Sequence, residues 1–303
     1  MAFPIVFHPD YEISLKPGHR FPMSKYGFLR RALAARGLMP PGGFFAPVEA
    51  GPAVIGLAHD AGYVERVITG ALGPDEARRI GLPPSAALAR RVRLSSAGTL
   101  LSARLALEHG LSCNAAGGSH HAARGEGAGY CVFNDVAVAI AALLAEGMIR
   151  RAAVLDLDVH QGDGTAKIFS FESRVFTVSL HSEKNFPARK AHSDLDVPLP
   201  DGTGDDAYLA ALGDALERLE DIETDILFIN AGVDVVAADR LGRLALSAEG
   251  LRRRDARALG WAKARGVPVV GVLGGGYGPD PAEIAARHAV LFEEAAKLTR
   301  LGS

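Results

Sequence analysis

The feature that most constrains this chain is the alternation of short apolar, β-branched runs with stretches of helical periodicity. AAVLDLDVH over 152–160 is the clearest strand signal, followed by FTVSL (176–180), ILFINA (226–231) and VPVVGVL (267–273), with LSCNA (111–115) a weaker one. Between them DVAVAIAALLAEG (135–147), DDAYLAALGDALERLED (205–221) and SAEGLRRRDARALGWAKARG (247–266) repeat apolar residues near the 3.6-residue period of a helix. A strand that reaches its neighbour through a helix pairs with it in parallel, because the crossover returns the chain to the same end of the sheet. The expectation is an α/β fold: a single-domain three-layer αβα sandwich around a mostly parallel sheet, covering residues 1–303.

Nothing in the rest of the chain argues for a division. There is no internal repeat or low-complexity linker, and PPGG (40–43) and GLPP (81–84) read as turn clusters in surface connections. With 48% apolar and 22% charged residues the chain can bury a sizeable core. The net charge of -2 and the lack of a long basic run exclude the electrostatic footprint of a nucleic-acid binder. Two cysteines, Cys113 and Cys131, are too few for a disulfide framework. The start MAFPIVFHPDY has no leader-like apolar segment, and no apolar run reaches the roughly 18 residues of a membrane span. The expected setting is a soluble protein of a reducing cytoplasm.

In an open parallel sheet, ligands bind at the carboxyl ends of the strands. His120 and His121 follow LSCNA, Asp158 and His160 end AAVLDLDVH, Asp234 follows ILFINA and Tyr277 follows VPVVGVL. In D-L-D-V-H the residues Asp156, Asp158 and His160 are spaced by two, so an extended chain points them the same way. A lone Asp is ordinarily a helix cap or a solvated loop residue. Two carboxylates in an apolar strand differ, because burying them needs a compensating charge. Carboxylate and imidazole suit a divalent metal, and a catalytic zinc takes three protein ligands with a fourth position open for water. Strand geometry keeps Asp156, Asp158 and His160 from all binding one ion, which makes Asp234 in N-A-G-V-D the leading outside ligand. One imidazole of His120–His121 can move a proton, with Asp156 and Asp163 fixing the tautomers. GGGYG (274–278) lacks the Lys-Ser/Thr of a P-loop. As a flexible turn it lets the Tyr277 hydroxyl approach a developing oxyanion.

These residues resemble the zinc-dependent histone deacetylases and their bacterial deacetylase-like relatives. The segments that carry the resemblance are GHRFPMSKY (18–26), AGGSHHA (116–122), GAGYCVFND (127–135), DLDVHQGDGT (156–165), VSLH (178–181), AGVDVVAADRLG (231–242) and GGGYG (274–278). GHRFPMSKY and the D-R-L-G run look closer to the class IV-like branch. The resemblance implies an arginase/deacetylase fold and Zn²⁺ on Asp158, His160 and Asp234. It makes His121 the general base and acid, His120 its electrostatic partner, and Asp156 and Asp163 the carboxylates behind them. Tyr277 would stabilise the oxyanion, and Gly129 would line the acyl-lysine tunnel, its carbonyl accepting from the substrate amide. A structural K⁺ would lie on Asp156, Asp158, His160, Ser179 and Leu180. Tyr130 stands where many family members carry Phe, with Phe186 as the opposite aromatic wall.

The expected reaction is zinc-dependent hydrolysis of an N-acyl-lysine in a protein or peptide. Three other readings stay open on the sequence: an acylpolyamine or small-metabolite amidohydrolase, a non-catalytic module binding an acyl ligand, and a two-metal ureohydrolase. The second has no use for a full proton-transfer set, and the third needs another bridging carboxylate where Val236 stands. Zn²⁺ and Fe²⁺ both suit the ligands. Polyamine-specific relatives carry an acidic gatekeeper at the position of Leu241, so an apolar residue there favours acyl-lysine, with Asp205 and Asp239 the nearest acids to weigh against it.

Overall fold

The computed structural model describes residues 3–300. Seven strands, β1 (Ile5–Val6), β2 (Leu111–Asn114), β3 (Ala152–Asp156), β4 (Val175–Ser182), β5 (Leu195–Leu199), β6 (Ile226–Ala231) and β7 (Val269–Leu273), form one all-parallel sheet in the order β1-β2-β7-β6-β3-β4-β5. Strands β2, β3, β6 and β7 are buried along their whole length, as expected for a parallel sheet covered on both faces. The expected α/β class and mostly parallel sheet are what the chain forms.

Ten α-helices among the described residues flank the sheet: α1 (Lys25–Ala35), α2 (Pro52–Ile55), α3 (Ala61–Thr69), α4 (Pro74–Ile80), α5 (Ala86–His109), α6 (Asp135–Ala145), α7 (Asp163–Phe169), α8 (Asp205–Glu220), α9 (Ala248–Ala264) and α10 (Pro281–Arg300). In one layer α5 packs on α6 and α3; in the other α10 lies against α1 and α9, and α9 against α8. The 24-residue α5 has clear ends, since the Ser85 hydroxyl accepts from Leu88 N–H and Gly110 closes it at φ 83°. Its interior escapes a periodicity reading. Ser95, Ser96, Gly98, Thr99 and Ser102 are buried alongside its leucines, because the helix contacts β1, β2, β7 and other helices at once, so no single apolar stripe stands out.

The chain builds β3, β4 and β5 outward in one direction, then returns to place β6 and β7 between β3 and β2. The direction therefore reverses between β3 and β6, and a crevice opens at such a reversal beyond the carboxyl ends of the strands. Four loops converge there, those after β2, β3, β6 and β7.

Candidate metal and catalytic site

The run expected as one strand over 152–160 leaves the ladder at Asp156. After Leu157, whose N–H still donates to the Asn230 carbonyl (2.9 Å), side chains take over the backbone donors: Asp156 Oδ1 accepts from Asp158 N–H (3.2 Å), Asp158 Oδ1 from His160 N–H (2.9 Å) and Asp234 Oδ1 from Val159 N–H (3.0 Å). Short acidic side chains compete with sheet pairing in this way. The convergence of Asp158 and His160 thus comes from successive carboxylate turns, not from strand alternation.

Asp158, His160 and Asp234 are buried, and one ligand atom from each lies within 4.8 Å of the others. His160 Nδ1 is 2.9 Å from Asp158 Oδ1 and 3.2 Å from Asp234 Oδ2. Asp158 Oδ2 is held by Gly275 N–H at 2.6 Å, whereas Asp234 Oδ2 is buried without a hydrogen-bond partner. Burial opposes charge on His160, yet the two carboxylates raise it to about 10. Burial and the Asp158 charge push Asp234 up to about 6. An orphaned carboxylate oxygen and a field that draws positive charge fit a divalent cation held by these three groups. A Cβ at position 275 would overlap Asp234 Oδ2, so glycine is required for this close approach.

Two imidazole–carboxylate pairs stand beside the metal-ligand group. His120 Nδ1 and Asp156 Oδ2 are 2.7 Å apart, as are His121 Nδ1 and Asp163 Oδ1. Asn230 Nδ2 donates to Asp156 Oδ1 (2.9 Å), and Lys167 Nζ to Asp163 Oδ2 (2.6 Å). The two rings lie 4.1 Å apart at their centroids. Their environments divide them. Burial opposes charge on His120, but Asp156 and Asp158 raise it to about 9; burial and the neighbouring His120 push His121 down to about 3. The loop bearing them is fixed from α6, where Asp135 accepts from Gly118 and Ser119 N–H and from the Thr99 hydroxyl.

Gly129, Tyr130, His120, His121, Asp158, His160 and Tyr277 line one cavity. Gly129 is in the left-handed region at φ 55°, and an added Cβ would lie 2.7 Å from the His121 ring. Tyr130 is left-handed too, at φ 67°, an uncommon conformation for a non-glycine residue, and it packs against Phe21, His19 and Tyr277. Phe186 stands edge-on to His121 at 4.8 Å and is half exposed. Burial and the Asp234 and Asp158 charges hold the Tyr277 hydroxyl well above its usual range, so it stays a donor. Leu241 is on the surface of the β6–α9 connection, its carbonyl accepting from Asn185 Nδ2 at 2.7 Å. Asp156, the last residue of β3, pairs in register with Ser179 of β4.

The residues that sequence reasoning passed over stand behind this group. Lys25, fully buried at the start of α1, donates to the carbonyls of Gly274 (3.2 Å) and Gly275 (2.7 Å), and burial lowers it to about 8. Arg254, buried on α9, donates to the Leu157 and Gly232 carbonyls, just ahead of two metal-ligand candidates. His59 receives Asn134 N–H at the start of α6.

A parallel α/β sheet with a three-residue metal-ligand group, two imidazole–carboxylate pairs and a buried tyrosine at its carboxyl edge defines a hydrolase of the metal-assisted type. The family model described as a histone deacetylase domain matches residues 19–292, and the chain belongs to that family. An uncharacterized protein of Picosynechococcus sp. is 45% identical over 296 residues, covering 97% of this chain and 99% of its own. A histone deacetylase homologue solved with SAHA superposes with a TM-score of 0.84 at 25% identity, covering 98% of this chain and 84% of that one. An acetylpolyamine aminohydrolase from Burkholderia pseudomallei has the same fold, with a TM-score of 0.79 at 24% identity over 96% of this chain and 98% of that one. The chain is therefore a deacetylase-type amidohydrolase of a family that is zinc-dependent. No helix among the described residues is long and apolar enough to cross a membrane.

Proposed function

We propose that this enzyme hydrolyses the amide of an N-acyl-lysine in a protein or peptide, and that it acts as a single unit over 1–303 with Zn²⁺ on Asp158, His160 and Asp234. The observation that carries the reading is one cavity lined by Asp158, His160, His120, His121 and Tyr277, with Asp234 grouped with the first two and Asp156 and Asp163 behind the imidazoles. A bound zinc supplies Lewis acidity and makes water a nucleophile near neutral pH. Iron(II) suits the same donors.

The residues divide the remaining work. His121, held neutral with Nδ1–H donating to Asp163, has Nε2 free to take a proton from the attacking water and return it to the leaving amine. His120, its Nδ1 against the Asp156 carboxylate, is the electrostatic partner of His121 beside the negative charge that builds there. The Tyr277 hydroxyl donates to the carbonyl oxygen as it becomes an oxyanion. Tyr130, Phe186 and Gly129 enclose the acyl-lysine stem, with the Gly129 carbonyl accepting from its amide, and Asp156, Asp158, His160, Ser179 and Leu180 would hold a structural K⁺.

The choice of lysine over polyamine rests on the rim. Leu241 offers a distant ammonium no counter-charge. The two acids weighed against this are tied to neighbouring groups: Asp239 accepts from Leu241, Gly242 and Tyr277 N–H, and Asp205 accepts from Ser247. The test compares kcat/KM for acetyl-lysine peptides and N8-acetylspermidine in the wild type and in Leu241→Glu. We expect the peptide to be preferred and the glutamate to move the ratio toward the polyamine; a wild type that favours the polyamine refutes the reading.

A further inference from the structure

Beside the catalytic cavity the loop over 12–24 and the start of the segment leading into α10 enclose a second depression of about 530 Å³. Phe21 lines both. Three exposed cations, Lys16, Arg20 and Arg240, face this depression, and among the described residues none of them forms an ion pair or a side-chain hydrogen bond. Glu12 is the one carboxylate in its lining among the described residues, and its Oε2 is engaged by Gly27 N–H at 3.0 Å. Asp280, next along the chain from the lining Pro279, caps α10 through Ala282 N–H. An excess of positive charge here runs against the chain's net charge of -2.

Two of these cations are mounted on the walls of the catalytic cavity. Arg20 lies between His19 and Phe21, which are pinned by Phe21 N–H to His19 Nδ1 (3.1 Å) and by His19 Nε2–H to the Gly81 carbonyl (3.1 Å), with both rings against Tyr130. Arg240 N–H donates to the Tyr277 carbonyl at 3.2 Å. A lysine side chain inserted past Tyr130 and Tyr277 therefore leaves its own backbone between these cations. Neighbouring substrate residues, roughly 3.5 Å apart along an extended chain, then reach the depression within a few positions.

Resting on the acyl-lysine reading, we propose that this depression docks an acidic stretch of the substrate, so that the enzyme selects acyl-lysines flanked by Asp or Glu. The same charges repel a polycation, which gives the rim an attractive and a repulsive element together.

The test measures kcat/KM for acetyl-lysine peptides of equal length with acidic, neutral or basic flanks. Exposed charge pairs are individually weak, so the three together should favour acidic over basic flanks by roughly 5–10-fold at low salt. The preference should fall toward unity at about 0.5 M salt, where screening is strong, and in the triple variant Lys16→Gln, Arg20→Gln, Arg240→Gln. A wild type without the preference, or a triple variant that keeps it, overturns the proposal. If only acetylspermidine is hydrolysed, the acyl-lysine reading fails by itself. The depression is then judged by fluorescence anisotropy of a labelled acidic peptide, and equal affinities for wild type and triple variant overturn it.

Discussion

Lys25 Nζ donates to the Gly275 carbonyl at 2.7 Å, while the N–H of Gly275 donates to Asp158 Oδ2 at 2.6 Å. A buried ammonium thus fixes the glycine whose other face orients a metal-ligand carboxylate, and His288 Nε2 adds a second hold on the same carbonyl at 3.2 Å. Lys25→Met should weaken zinc affinity about 10–100-fold, the range typical of groups that orient metal ligands. Chelator competition measures this directly, and unchanged affinity with a lowered melting temperature would reduce Lys25 to a structural role.

Tyr277 and His121 act on groups whose charge changes during the reaction. Tyr277→Phe and His121→Ala should each lower kcat by about 10²-fold or more with much smaller changes in KM. Steady-state kinetics on folded, metal-loaded variants checks this; near wild-type kcat in either one would falsify its role.

One metal-ligand group emerges among the described residues, and Val236, two residues past Asp234, is a buried apolar residue and not an acid. Elemental analysis should find one transition-metal ion per chain. Chelation should abolish hydrolysis while circular dichroism remains near that of the loaded enzyme, because the ligands sit on loops of a preformed sheet. Two equivalents at full activity would contradict the single-metal reading.

His59 sets a pH dependence of stability that is separate from catalysis. Its Nδ1–H donates to the Ala123 carbonyl (2.9 Å) and Nε2 accepts from Asn134 N–H (2.9 Å), an arrangement that only the neutral ring satisfies. Burial lowers it from 6.5 to about 4. The unfolded chain therefore binds the proton first as pH falls. The contribution is fully present above about 6.5 and is lost as pH drops to about 4, on the order of 3 kcal/mol in total. Urea midpoints from pH 7 to pH 4 should fall more steeply for wild type than for His59→Gln, and parallel slopes would count against it.

The linear chain determined the alternation that makes a parallel sheet and the polar residues that follow its strands. β-Branched runs and 3.6-residue periodicity are local properties, and the run D-x-D-x-H declares a need for charge compensation wherever it is buried. It also carried the resemblance to a deacetylase. Other elements lacked such a local signal. Strand β1 has two residues and β5 is half exposed around Pro198, so neither shows a clear apolar run. Only the tertiary structure ended β3 at Asp156: the Asp158 and His160 N–H groups turn to the local Asp156 and Asp158 carboxylates, but Val159 N–H is answered by Asp234, 75 residues farther along. Lys25 looks like an ordinary helix-start residue, and Arg254 sits in an RRRD run that reads as a solvated face. Their roles come from carbonyls presented by Gly274, Gly275, Leu157 and Gly232, partners that spacing along the chain cannot specify. Residue type fixes what a side chain can bond to, but the fold decides which group lies within about 3 Å of it.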